Sequence, residues 1–486
     1  MASTVTLTGA ENRSVTDNEF VPATGNATID LENPSTCKHL ATVSAAQVED
    51  VDKAVASSKK AYSTWKDAAP GVRRGLLIKL ADLIEEHAPE IASLESLDAG
   101  ILYRDSTGLH IPQSVENLRY FAGWADKVDG ETLKIQEGMA ITHREPIGVC
   151  AAIVPWNSPL MITIWKLAPA IAAGNTIVIK TPELCPLFGQ KLAELIVKAG
   201  FPPGVVNILC GLGTVAGAAL SAHMDVRKIS FTGSSAVGKQ VLISSAKSNL
   251  KRVTLELGGK GASIVFDDAD FDNALFWTGL GISVNNGQIC IAGSRIYVQD
   301  TIYDKFVKEF SARSANAVHG DPLLPETTKG PVISAVQRER ILSFVDKGKS
   351  SGATLLHGGK ALEGAGHFVA NTAFSDVSQS APIMQQEIFG PFASIAPFKT
   401  EEEVIAKAND TTYGLSAAVF TKDINRAFRV TGAIESGQVT VNMWGTVNAN
   451  TPFGGIKESG FGREMGKDGL EEWTSVKSVK FNLMQG

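Results

Sequence analysis

The stretch that decides the fold runs from Ile147 to Cys210 and reads IGVCAAIVPWNSPLMITIWKLAPAIAAGNTIVIKTPELCPLFGQKLAELIVKAGFPPGVVNILC. Ile147–Val154 is an apolar run closed by Pro155, which reads as a strand. Pro159–Ala173 has helical spacing and stops at Gly174-Asn175. A strand follows at Thr176–Ile179, a helix at Pro186–Ala199 ended by Gly200, and a strand at Val205–Leu209. The rhythm continues outward with a helix near Thr214–His223, a strand at Lys228–Phe231, a helix at Ser234–Ser248 and a strand at Val253–Leu257. Repeated units of this length predict a parallel sheet with helices on both faces, the doubly wound α/β architecture. Ligands on such sheets sit beyond the carboxyl ends of the strands.

Upstream, Ala45–Gly100 is helical in pattern, with Pro70-Gly71 separating VEDVDKAVASSKKAYSTW from RRGLLIKLADLIEEHAPEIASLES. The first 20 residues read as loosely ordered. Downstream, a second α/β series begins with a strand at Ala262–Phe266, a helix from Asp270, a strand at Arg295–Val298 and a helix from Thr301. Gly320–Pro331 reads as a loop. The series runs to about Asn442, and the Gly-rich Thr451–Gly466 reads as irregular. Asp126–Thr142 interrupts the first series and is expected to be a hairpin standing off it, with the strand candidate Val476–Asn482 as its partner.

Composition bounds the function. The 486 residues are 44% hydrophobic and 20% charged, as in a soluble globular protein of two or three domains. That excludes a collagen, a coiled coil and a disulfide scaffold. The formal charge, 45 − 51 = −6, offers no electrostatic case for nucleic acid or an anionic membrane. No apolar run is long enough to span a bilayer, the N-terminus has no apolar core, and the C-terminal NLMQG matches no anchor or retention signal. The five cysteines are an odd number with no Cys-x-x-Cys pair, so no zinc site and a reducing compartment, by default the cytoplasm, are expected.

Two Gly-rich loops compete for a phosphate. In CGLGTVAG the third glycine, Gly217, falls one place late for a dinucleotide fingerprint. FTGSSAVGKQ has the Gly-x-x-x-x-Gly-Lys of a phosphate loop, but Gln240 stands where Ser or Thr should hold Mg²⁺, which disfavours a phosphate-loop NTPase. The helix start after Gly233-Ser234 still offers backbone N–H groups to a diphosphate. Cys290, in NNGQICIAGSR, is either a small core hydrophobe or a thiol placed after a Gly turn to meet free N–H groups. The other four cysteines fit the core reading. Glu256, in TLELGGKGA, is either a catalytic carboxylate at a sheet edge or a solvated strand end.

Taken together, an ordered set of motifs resembles the aldehyde dehydrogenase superfamily: PWN at Pro155–Asn157, Lys180 with Glu183, FTGS at Phe231–Ser234, ELGGK at Glu256–Lys260, GQxC at Gly287–Cys290, EIFGP at Glu387–Pro391 and PFGGxKxSGxGRExG at Pro452–Gly466. The set spans about Ala45 to the C-terminus. The resemblance implies two doubly wound (Rossmann-like) domains and a small β oligomerisation element. NAD binding falls to residues 1–125 and 147–257, catalysis to 258–469, and oligomerisation to 126–146 and 470–486, with homodimers or homotetramers expected.

The resemblance also implies roles. Cys290 is the nucleophile, Glu256 the general base and Asn157 an oxyanion donor, in the oxidation of an aldehyde through a thiohemiacetal and a thioester. Lys180 and Glu183 hold the adenosine ribose, Gly233 and Ser234 the diphosphate, Glu387 the nicotinamide ribose; Phe389 packs at the nicotinamide end and Trp156 lines the adenine side or supports Asn157. Glu183 repels a 2′-phosphate, so NAD is expected over NADP. The substrate funnel implied by the resemblance comprises Met161, Ile162, Trp165, Ile289, Ile291, Val447 and Phe453. It carries no cation for an acidic substrate, so the expected aldehyde is uncharged, aliphatic or aromatic. Gly445 and Ser158 leave room, and chain length is not legible. The alternatives are a coenzyme A-acylating relative, disfavoured by Glu256, a catalytically retired family member, and the phosphate-loop NTPase.

Overall fold

The computed structural model describes residues 14–483. The polar start of the chain and its last three residues, on which the leader and retention-signal readings partly rest, lie outside them.

Eight strands build the first sheet, in the order Gly460–Phe461, Arg252–Glu256, Lys228–Thr232, Val149–Ile153, Thr176–Thr181, Val206–Cys210, Ser14–Thr16 and Glu19–Val21. The five central strands are parallel, and the others add antiparallel at the edges. Alternation along Val149–Ile153 explains its unbroken apolar run. Cys150 and Ala152 enter one core cluster, while Val149, Ala151 and Ile153 enter another on the opposite face. Helices cover both faces. Pro159–Ala172 is buried at every position, which is why its sequence is apolar all round.

A second sheet runs in the order Thr354–His357, Thr372–Ser375, Phe392–Phe398, Arg295–Gln299, Ala262–Val265, Ser416–Phe420 and Gln438–Val441. It is parallel except at Thr354–His357. Tyr297 packs on its outer face, and its neighbours Ile296 and Val298 on the inner one. The inner cluster is continuous with that of the first sheet, running from Ile179 through Trp165 and Phe453 to Ile296. The two α/β units therefore share an apolar seam.

A third sheet pairs Thr132–Ile135 with Gly138–Pro146, and Gly138–Pro146 with Thr474–Asn482 in an unbroken antiparallel register from Thr474 opposite Pro146 to Asn482 opposite Gly138.

Four local readings change. Residues 14–21 are not loose: Ser14–Thr16 and Glu19–Val21 close one edge of the first sheet, with Val15 buried beside Ile208. The second N-terminal helix is two, Pro70–Glu86 and Ala88–Ala99, because His87 leaves helical geometry and Pro89 restarts the chain. A hairpin of Thr28–Asn33 and Lys38–Ser44 carries no strong alternation and was not predicted. Gly460-Phe461, expected to be irregular within the second unit, is an edge strand of the first. Gly460 has φ 113° and lies so close to the Leu255 carbonyl that no side chain fits.

Candidate active site

The site forms where the first sheet changes direction. From Val149–Ile153 the chain steps outward to Thr176–Thr181 and Val206–Cys210, then returns to lay Lys228–Thr232 on the other side of Val149–Ile153. The loops leaving these two neighbours diverge and open a crevice beyond their carboxyl ends. Pro155, Trp156 and Asn157 form one wall of a cavity of about 290 Å³, and Thr232, Gly233 and Ser234 another. Leu257, Gly258, Cys290, Gln337, Arg340, Glu387 and Phe389 complete it.

Cys290 reaches this cavity through a constrained turn. Asn285, Asn286 and Gly287 follow one another at φ 45°, 54° and 65°, a left-handed run that Asn and Gly tolerate best. Asn286 Nδ2 donates to the carbonyls of Gly330 at 2.8 Å and Pro331 at 3.1 Å. Gln288 Oε1 accepts from the Ile333 N–H at 3.0 Å. Asn285 Nδ2 donates to the Asn157 carbonyl at 2.7 Å, tying the loop of the thiol to the loop of the amide. Asn157 is buried, and no group among the described residues hydrogen-bonds its side-chain amide. Burial pushes the Cys290 thiol well above its usual range. The carboxylates of Glu256 and Glu387 add to this, and the N–H groups of Ile291 and Cys290 oppose it.

Glu256 ends its strand close enough for its charge to raise that thiol. It is 4% exposed and its Oε1 has no hydrogen-bond partner, so the solvated strand-end alternative fails. Burial raises its carboxyl well above the usual range, with the charge of Glu464 adding and those of Lys166 and Arg463 opposing. Glu464 itself pairs with Lys166, whose Nζ also donates to Ser230 Oγ at 3.1 Å. Neither Lys166 nor Glu464 was singled out from sequence. The signal was there in the quoted GRExG, but Lys166 lies in an apolar helix with nothing to mark it.

Glu387 is held from two sides. The Gly259 N–H donates to its Oε1 at 2.9 Å, and Arg340 Nη2 donates to its backbone carbonyl at 2.7 Å. Burial raises its carboxyl to about 7, against the Gly259 N–H and the charges of Arg340 and Lys260. Phe389 sits at φ 60°, unusual for a bulky residue, with its carbonyl accepting from Gln337 Nε2 at 2.7 Å. Its ring meets Trp156 edge-on at 5.3 Å. Gln337 and Arg340 escaped sequence reasoning because they stand on a helix, Ala335–Ser350, without a motif.

Lys180 and Glu183 lie outside this cavity, one strand further along the crevice. Lys180 Nζ donates to Glu183 Oε2 at 2.5 Å, and the Gly213 N–H donates to Glu183 Oε1 at 3.2 Å. Burial works upward on the Glu183 carboxyl, but the Lys180 charge and these hydrogen bonds bring it below its usual value. CGLGTVAG thus meets the carboxylate rather than forming a fingerprint loop. Ser234 caps the helix Ser235–Lys247, its Oγ accepting from Val237 N–H at 3.4 Å. The phosphate-loop lysine, Lys239, turns to Glu458 Oε1 at 3.0 Å on the surface, away from any phosphate-loop role.

The seven funnel residues also lie outside the cavity. Met161, Ile162, Trp165, Ile291 and Phe453 are buried in the inner apolar cluster, and Ile289, Cys290 and Val447 pack against it. Trp165 and Phe453 have ring centroids 5.0 Å apart. Of the remaining cysteines, Cys150, Cys185 and Cys210 are buried as expected, but Cys37 is exposed at φ 55° in a turn.

A dinucleotide fits this crevice. The helix start at Ser234 carries N–H groups without intrahelical acceptors, the Lys180–Glu183 pair offers both charge and acceptor, and Glu387 is an anchored carboxylate with a free oxygen.

Comparison with known proteins agrees with this architecture. The model of the aldehyde dehydrogenase family matches residues 20–479. An aldehyde dehydrogenase of Alternaria alternata is 47% identical over 469 residues, covering 96% of this chain and 94% of that protein. Aldehyde dehydrogenase 1A1 of Homo sapiens is 46% identical over 473 residues, with the same coverage of 96% and 94%. The NAD⁺ complex of an aldehyde dehydrogenase from Bacillus cereus superposes with a TM-score of 0.96 at 42% identity, covering 97% of this chain and 96% of that one. With a two-domain Rossmann-like fold, a crevice at the sheet's turning point and a match along nearly its whole length, this chain belongs to the aldehyde dehydrogenase family.

Proposed function

We propose that the protein oxidises an uncharged aliphatic or aromatic aldehyde to the carboxylic acid with NAD⁺. The observation that carries this reading is the shared cavity. Cys290 and Asn157 are on its walls, Glu387 and Phe389 at its rim, and Glu256 lies near enough for its charge to act on the Cys290 thiol.

The residues divide the work as follows. The Cys290 thiol and the Glu256 carboxyl both favour their protonated forms in the resting site, so the reaction starts when Glu256 ionises and takes the thiol proton. The Cys290 sulfur then adds to the aldehyde carbon, and the carbonyl oxygen becomes an oxyanion. Asn157 Nδ2 and the Cys290 N–H hold that oxyanion, each donor contributing about 3 kcal/mol. When bound, NAD⁺ supplies the acceptor for the hydride that leaves this carbon. After releasing the thiol proton to solvent, Glu256 deprotonates the water that hydrolyses the Cys290 thioester and passes that proton to the departing Cys290 sulfur, releasing the acid and regenerating the thiol. Lys180 and Glu183 hold the adenosine ribose, Ser234 and Gly233 the diphosphate, and Glu387 the nicotinamide ribose. Glu183 disfavours a 2′-phosphate, hence NAD⁺ over NADP⁺. Met161, Ile162, Trp165, Ile289, Ile291, Val447 and Phe453 line the aldehyde's approach.

In this reading residues 1–125 and 147–257 bind the cofactor, 258–469 carry the thiol apart from Gly460-Phe461, which pairs with the first sheet, and 126–146 with 470–486 join copies into a homodimer or homotetramer. Five free cysteines fit a reducing compartment, the cytoplasm.

The test is formation of reduced dinucleotide across an aldehyde panel, with NADP⁺ and coenzyme A in parallel. A strong preference for a carboxylated semialdehyde, or acyl-coenzyme A as the product, overturns the reading. Cys290→Ala abolishes turnover while NAD⁺ affinity stays nearly unchanged; residual turnover in that variant also overturns it.

A further inference from the structure

We propose that Glu32, Cys37 and His367 form a site for a zinc-class divalent cation that clamps the N-terminal hairpin to the second α/β unit. Among the described residues, these side chains bring a carboxylate oxygen, a sulfur and a ring nitrogen within 4.8 Å of one another. They come from segments some 330 positions apart, so no sequence spacing advertises them.

The backbone aims each donor. Glu32 follows a register shift between Leu31 and Glu32 in the hairpin, a break that redirects a side chain. Cys37 stands at φ 55° at the end of the hairpin turn, its N–H donating to the Asn33 carbonyl at 2.8 Å. A non-glycine residue there is uncommon and is held by its surroundings. His367 is 4% exposed and fixed from both sides: its N–H donates to the Pro34 carbonyl at 2.9 Å, and its carbonyl accepts from the Val332 N–H at 2.9 Å.

The spacings are close to those of a metal site. Cys37 Sγ lies 3.7 Å from both His367 Nε2 and Nδ1, over the ring, so a side-chain rotation of exposed Cys37 is needed to bring it onto the Nε2 lone pair. Sulfur and nitrogen on one tetrahedral zinc are about 3.6 Å apart, given Zn–S of about 2.3 Å and Zn–N of about 2.05 Å. Glu32 Oε1 is hydrogen-bonded to the same Nε2 at 2.6 Å and must move out by under about 1 Å to become a ligand. Its side chain is half exposed, which leaves that motion free. Thiolate, imidazole and carboxylate together match a borderline-soft ion, with a water completing the fourth position. The ion takes sulfur as thiolate and His367 as neutral imidazole, so binding releases the thiol proton to solvent and affinity falls as pH falls. The site is separate from Cys290 and does not depend on the proposed reaction.

The experiment uses the full chain carrying Cys290→Ala, which removes the catalytic thiol as a competing ligand; Cys150, Cys185 and Cys210 are buried. Cobalt(II) is titrated in, and thiolate-to-cobalt charge-transfer absorption is recorded. One equivalent is expected to bind, with the absorption lost on adding Cys37→Ala and the affinity lowered about tenfold or more by Glu32→Gln. Zinc is expected to raise the melting temperature of the Cys290→Ala protein but not that of Cys37→Ala/Cys290→Ala. No charge-transfer absorption, absorption that survives Cys37→Ala, or an equal zinc shift in both proteins overturns the proposal.

Discussion

Two buried groups of like preference carry the proposed chemistry at the residue scale. The Cys290 thiol and the Glu256 carboxyl are each raised by burial, the Glu256 charge makes the thiolate harder to form, and the Glu464 charge adds to the rise at Glu256. Turnover therefore rises with pH as Glu256 ionises, and Glu256→Gln removes that rise in kcat/KM. The same group sets a stability trend. A carboxyl whose folded pKa lies above its unfolded one binds more protons in the folded state, so stability declines as pH climbs between the two values. Glu256→Gln lacks this decline, and its melting temperature gains on the parent's as pH increases from the ordinary carboxylate range upward. Asn157→Ala should lower kcat by about 10²–10³, the loss of one oxyanion donor, with little change in NAD⁺ affinity. A drop in NAD⁺ affinity of the same size would place the amide in cofactor binding instead.

Single elements determine how well these groups are aimed. The turn at Asn285–Gly287 holds three left-handed residues in succession, stabilised by Asn286 against the Gly330 and Pro331 carbonyls. Asn286→Ala leaves those buried carbonyls without their donor and puts a less tolerant residue at φ 54°. The expected cost is about 1–3 kcal/mol of stability and a lower kcat, because Cys290 lies four positions on. Denaturant unfolding alongside steady-state kinetics checks both. The EIFGP loop obeys the same logic: Glu387 and Phe389 take their positions from Gly259, Gln337 and Arg340, all outside the motif.

For the whole molecule, the decisive feature is the three-stranded sheet. Thr474–Asn482 pairs along its full length with Gly138–Pro146, yet Leu133, Val476, Phe481 and Leu483 remain exposed. A small sheet with apolar residues facing water is marginal alone and gains from a neighbour. Replacing Val476 and Phe481 with Glu is expected to shift the proposed dimer or tetramer toward monomer in light scattering, with the far-ultraviolet circular dichroism unchanged. An unaltered mass would remove this sheet from the interface.

The alternation of apolar strands with helices from Ile147 to Leu257 sufficed to determine the doubly wound class, because a parallel strand buried on both faces and a two-sided helix cover leave a pattern local in sequence. The same alternation located the strand ends at which Asn157, Lys180, Ser234 and Glu256 stand. The edge strands at Ser14–Val21 and Gly460-Phe461 were not legible, since their stability comes from neighbours hundreds of residues away rather than from their own pattern. Nor could any spacing reveal that Glu464 and Lys166 flank Glu256, that Gln337 and Arg340 hold the Glu387 loop, or that Cys37 faces His367. Electrostatic influence and hydrogen bonding fall off over a few ångströms of space, not over positions along the chain, and only the folded packing brings those groups within range.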